Sequence, residues 1–66
     1  MVRNQLRVYR ESNALRQEDL GKLLGISKSF ISRIEQGKKQ PNLIMALRMA
    51  AILKCKVDDL FFLDKS

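Results

Sequence analysis

The stretch Gln17–Ile34, "QEDLGKLLGISKSFISRI", decides the fold. Its apolar residues Leu20 and Leu24 lie one helical turn apart, as do Ile31 and Ile34. Between the two pairs stands Gly25-Ile26-Ser27. Gly25 supplies the left-handed residue that commonly ends a helix. Ser27 can accept a hydrogen bond from the amides that open the next helix. Ile26 and Ile31 occupy the two positions of a hydrophobic staple around that cap. The spacing therefore predicts helices over about 17–24 and 28–36, joined by a tight turn that brings their apolar faces together at a steep angle. Gly21 costs ~1 kcal/mol relative to alanine within a helix, which makes sense where two helices must cross closely. Gln17-Glu18-Asp19 places acidic groups at the positive end of the first helix.

Together these features describe a helix-turn-helix unit, whose second helix can lie in the major groove of DNA. With Ile31 and Ile34 inward, helical geometry sends Lys28, Ser29, Ser32 and Arg33 outward. Lys28 or Arg33 can donate to guanine O6 and N7, while the two serines are less selective. Lys38 and Lys39, beyond Gly37, suit phosphates. Phe30 has two open readings: contact with thymine methyls, or packing beside Ile34.

Outward from this unit the pattern gives three further helices, at about 2–12, 43–54 and 58–63, with weak strand-like alternation throughout. Val2, Leu6 and Tyr9 share one side of the first. Asn42 after Pro41 is the expected cap of the fourth. The fifth opens with Asp58-Asp59, which suits the dipole, although Lys56 is a poor cap. The fourth, "LIMALRMAAILK", is apolar nearly all round, so it should be buried on more than one side. Leu43, Leu47, Ala50 and Leu53 form the expected core stripe. That leaves Ile44, Met45, Met49 and Ile52, with Phe62 and Leu63, as the expected interface of a homodimer. The two recognition helices would then stand about one DNA turn, ~34 Å, apart on an inverted repeat.

Composition bounds the rest. A chain of 66 residues fits one domain, 1–66, without internal repeats or linkers. The net charge of +6 comes from 13 basic and 7 acidic residues. Residues 1–40 hold nine basic and four acidic side chains, against four and three in 41–66. The cationic surface thus belongs to the first part, which suggests a polyanion partner. Cys55 is the single cysteine and histidine is absent, so an internal disulfide and a Cys/His metal site are excluded. No cofactor is expected. Neither an apolar block of a signal peptide nor a membrane span occurs, and a cytoplasmic protein is expected. With no nucleophile beside an evident base and no glycine-rich phosphate loop, an enzyme is not expected. No small-molecule ligand is evident.

The elements "LRVYR", "ALRQEDLGKLLGISKSFISRIEQGK", "P-N-L" and "VDDLF", in that order and spacing, resemble the Cro/phage-repressor family of helix-turn-helix proteins, also called the xenobiotic-response-element family. The resemblance covers about Leu6 to Phe61. It implies an all-α, five-helix lambda-repressor-like domain that binds double-stranded operator DNA, usually as a symmetric dimer, and regulates transcription; a repressor is the expected role, with an activator as the alternative. Residue by residue it assigns base contacts to Lys28, Ser29, Ser32 and Arg33. It assigns backbone contacts to Gln17, Gln36, Lys38 and Lys39, and a structural ion pair to Arg10 and Glu35. Arg16 departs from the family pattern, which has Ser or Thr as the cap of the second helix. The same fold also serves in antitoxins, in protein-interaction adaptors and in controllers of restriction-modification operons, and these stand as alternatives.

Overall fold

The computed structural model describes residues 2–64. Five helices follow one another: α1 (Leu6–Ser12), α2 (Gln17–Leu24), α3 (Lys28–Glu35), α4 (Leu43–Leu53) and α5 (Val57–Leu60). A short strand stands at each end, β1 (Val2–Asn4) and β2 (Phe61–Leu63). The strands pair antiparallel, with Val2 opposite Leu63 and Asn4 opposite Phe61. The helices make this an all-α fold of the expected class, and the sheet is a minor addition to it.

That sheet corrects two expectations. The first helix begins at Leu6 rather than near residue 2, and the last ends at Leu60 rather than 63. Val2 and the run Phe61-Phe62-Leu63 are β-branched, aromatic and apolar, which suits a pleated, half-buried surface. Phe62 and Leu63 therefore sit on a strand, not on a helix. The Gln5 amide donates to the Leu60 carbonyl at 2.9 Å and extends the pairing to the helix ends.

The turn between α2 and α3 closes as its residue types demand. Gly25 has φ +73° in the left-handed region. The amides of Gly25 and Ile26 both donate back to the Gly21 carbonyl, the second at 2.9 Å. Ser27 Oγ accepts from the Phe30 amide at 3.1 Å. A Cβ added to Gly21 would lie 2.6 Å from the Ile26 carbonyl oxygen. The close approach is thus between α2 and the turn itself. Arg16 cannot accept a hydrogen bond, so α2 is capped from the other direction: Asp19 Oδ2 accepts from the Arg16 amide at 2.9 Å. Asp59 does the same for Lys56 at the start of α5, at 3.0 Å.

The core gathers Leu6 from α1, Leu20 and Leu24 from α2, Ile31 and Ile34 from α3, Met49, Ala50 and Leu53 from α4, and Leu60 from α5. On α4 the buried stripe differs from expectation. Ala46 and Met49 join Ala50 and Leu53 inside, while Leu43 and Leu47 stay 71% and 52% exposed. Met49 is fully buried, so it is a core residue and not part of an outer face. A helix apolar on every side gives almost no directional signal, and burial is then decided by the space its neighbours leave. Met45 and Ile52 are half-buried against the core, and Phe30 packs against it as well. No helix among the described residues is long and apolar enough to cross a membrane.

Candidate nucleic-acid interface

α3 is held by its two isoleucines and presents its opposite face to solvent. Lys28, Ser29 and Arg33 are exposed, and Ser32 is half-buried beside them. Together with Gln17, Gln36 and Lys38 they line one open depression of about 520 Å³. The structure thus brings together seven of the eight residues assigned to DNA contacts. Lys39, the eighth, is exposed on the adjoining loop. That loop is wrapped onto the helix end: the amides of Lys38 and Lys39 both donate to the Arg33 carbonyl, at 2.9 and 3.3 Å.

Beneath the depression lies a buried charge pair. Arg10 is only 7% exposed, and its Nε donates to Glu35 Oε2 at 2.6 Å. Arg10 Nη2 donates to Glu35 Oε1 at 3.3 Å, and Nη1 to the Leu15 carbonyl at 2.8 Å. The arginine so joins α1 to α3 and to the loop before α2. The Glu35 hydrogen bond raises the Arg10 pKa against the opposing effect of desolvation. Gln17 is drawn into the same network, since its Nε2 donates to Glu35 Oε1 at 3.1 Å. The side chain that opens α2 is thereby anchored to α3, and the amides of the first turn of α2 lie where a helix can hold an anion.

The charges are sorted accordingly. Among the described residues Lys28, Arg33, Lys38 and Lys39 form no ion pair, whereas Glu18 and Asp19 are engaged by Arg16 at 3.3 Å each. The acceptors near the site are thus internally satisfied, and the free cations face outward. Such a surface offers hydrogen-bond donors on a stiff helix and positive charge around them, which is the requirement for reading and gripping a duplex.

Two contributors, Asn4 and Arg48, had no signal in the sequence, and a third bond, made by Gln36, had only a weak one. Asn4, on β1, donates from Nδ2 to the Ile34 carbonyl at 2.8 Å and accepts from the Leu6 amide at 3.1 Å. It ties the terminal sheet to the C-terminal end of α3 across thirty positions of chain. Arg48 reaches from α4 to the Leu23 and Leu24 carbonyls that end α2, at 3.4 Å each. Gln36 Nε2 donates to Ser32 Oγ at 2.9 Å, one helical turn back. Only the last spacing is visible in the sequence, and many exposed polar pairs share it.

No group of three or more potential metal ligands occurs among the described residues. Burial pushes the Cys55 thiol upward, away from the reactive thiolate.

Comparison with known proteins places the chain. The helix-turn-helix family profile matches residues 6–60. An HTH-type transcriptional regulator of Methanocaldococcus jannaschii is 42% identical over 60 residues, covering 91% of each chain. Among solved structures, the P22 c2 repressor in complex with synthetic operator 9T superimposes with TM-score 0.77 and 33% identity, over 82% of each chain. The restriction-modification controller protein C.AhdI from Aeromonas hydrophila gives TM-score 0.73 and 30% identity, over 82% of this chain and 78% of its own. These relatives are named as a transcriptional regulator, a repressor and a controller protein, not as enzymes. The chain belongs to the Cro/phage-repressor helix-turn-helix family and is a DNA-binding transcriptional regulator.

Proposed function

We propose that the protein is a cytoplasmic, sequence-specific repressor whose residues 1–66 act as one DNA-binding domain, and that it grips an inverted-repeat operator as a homodimer. The observation that carries this reading is the depression lined by Gln17, Lys28, Ser29, Ser32, Arg33, Gln36 and Lys38. Lys28, Ser29, Ser32 and Arg33 face base edges in the major groove. Gln17, Gln36, Lys38 and Lys39 hold phosphates on either side. The Arg10–Glu35 pair fixes α3 relative to α1, and so holds the reading face in register. Occlusion of a promoter by such a dimer needs no further domain, and the likeness to the P22 c2 repressor supports it.

The dimer reading rests on apolar surface with no cover in one copy. Ile44 is 70% exposed on α4, with Leu43 and Leu47 beside it, and Phe62 and Leu63 are exposed on β2. Half-buried Met45 and Ile52 would flank the contact. Met49 takes no part, because it is spent in the core.

Binding selection on random duplexes tests both claims. The expected outcome is an enriched inverted repeat with half-sites one helical turn apart. Affinity should fall steeply with salt, with a log–log slope of about −0.9 per phosphate neutralised. A Lys28→Gln/Arg33→Gln variant that holds the selected site as tightly as the parent would refute the assignment of the reading face. The likeness to C.AhdI favours a second reading, in which the same binding serves as controller of a restriction-modification operon. Reporter output from the selected site separates repression from activation.

A further inference from the structure

Ser32 is a serine on a helix, and such a serine ordinarily spends its proton on the carbonyl one turn back. Ser12, on α1, does so, donating from Oγ to the Val8 carbonyl at 2.8 Å. Ser32 differs. Its Oγ accepts from Gln36 Nε2 at 2.9 Å, and among the described residues it donates to no carbonyl. A hydroxyl has one proton to donate and two lone pairs to accept with. With one lone pair engaged by Gln36, the proton turns away from the amide, and the incoming bond polarises the hydroxyl into a better donor and a poorer acceptor; both residues line the depression.

We infer that Gln36 biases Ser32 toward donating to the base it meets, so that this position favours an acceptor edge over the cytosine amino group. Gln36 is then a positioning residue for base preference. This rests on the proposed reading of α3 as the helix in the major groove. An unconstrained serine serves either edge, because its hydroxyl rotates to suit the partner. Guanine presents two acceptors in the major groove and thymine one, whereas cytosine presents only a donor there. A serine biased toward donating therefore prefers an acceptor edge where a free one has no preference. Ser29, one position after Lys28, makes no recorded side-chain bond and has no such constraint among the described residues.

The test uses the duplex obtained by selection, with each of the four base pairs placed in turn at every position. Ser32→Ala locates the base pair that Ser32 reads, as the position where discrimination disappears. At that position the parent should prefer guanine or thymine over cytosine by roughly tenfold. Gln36→Met keeps the length and removes the donor; it should shrink that preference to about twofold or less and leave base preference at the other positions unchanged, with a uniform weakening of all duplexes from the lost phosphate contact. Gln36→Glu can only accept from Ser32, so it exposes the Ser32 lone pairs and should turn the preference toward cytosine, in addition to weakening every site through its charge. In the Ser32→Ala background Gln36→Glu should weaken all four duplexes alike. Gln36 is exposed, and a thermal melt checks that each variant is folded. If Gln36→Met and Gln36→Glu change affinity equally for all four base pairs, the inference is overturned. A parent that binds DNA but prefers cytosine at that position overturns it as well. A parent with no base preference anywhere refutes the reading of α3 itself, a different failure with a different signature.

Discussion

Arg10 and Glu35 are the residues whose loss the fold would feel most. Both are nearly buried, and Glu35 accepts from Arg10 twice and from Gln17 once. Removing one member strands the other charge in a low-dielectric interior. Glu35→Ala should therefore destabilise the fold by about 3–5 kcal/mol, a large share of what so small a chain can hold. Replacing both, as Arg10→Met/Glu35→Leu, should cost far less, because no unpaired charge remains. Urea unfolding of the two single variants and the double variant measures the coupling, and near-additive losses would show that the pair contributes nothing as a pair. Asp19 acts on the acid side. Its carboxyl is held below the ordinary value of 3.8, chiefly because it accepts the Arg16 backbone N–H. A folded-state value below the unfolded one gives stabilisation that is complete above 3.8 and drains away as pH falls through the lowered value. Asp19→Ala should lower stability at neutral pH and flatten its decline below about pH 4. Denaturant midpoints collected across that range supply the check, and parallel curves for parent and variant would contradict the assignment.

At the scale of elements, the joint between α2 and α3 is the tightest point of the molecule. Gly21 is buried, its carbonyl accepts from the turn, and the turn's own carbonyl occupies the space a Cβ needs. Gly21→Ala gains ~1 kcal/mol of helix propensity but forces backbone apart, an overpacking cost of roughly 1–3 kcal/mol. A net loss of up to about 2 kcal/mol is expected from these two terms. Operator affinity should fall further than stability alone explains, because the turn sets the angle of α3. Calorimetry paired with a binding titration tests this, and a variant melting at or above the parent's temperature would mean the turn yields freely. The end of α2 and the starts of α3 and α4 were readable because their determinants are local: Gly25, Ser27 and Asn42 act on backbone groups within four residues. The terminal sheet was not. Three-residue strands carry almost no periodicity, and their pairing joins residues about sixty positions apart.

At the scale of the whole molecule, charge and apolar surface are segregated. Cations line the depression on α3, and most of the exposed large apolar side chains lie on α4 and β2, with Val8 and Leu23 apart from them. In the proposed dimer these two surfaces work together, one gripping DNA and the other setting the distance between two grips. Ile44→Glu replaces an exposed residue, so the fold should melt within about a degree or two of the parent. It should nevertheless shift the protein to monomer in sedimentation equilibrium and weaken binding to the full inverted repeat by at least about tenfold. A parent that sediments as a monomer on operator DNA would contradict the interface.

The sequence by itself determined the helix-turn-helix and the identities of the outward residues on its second helix, because caps, glycine conformations and helical periodicity act over one or two turns. Tertiary structure alone decided which stripe of α4 is buried, that Met49 lies inside while Leu43 and Leu47 do not, and that Asn4 ties the terminal sheet to the end of α3. Those outcomes depend on volume left by neighbours and on partners distant along the chain, and neither is encoded in the spacing of any one segment.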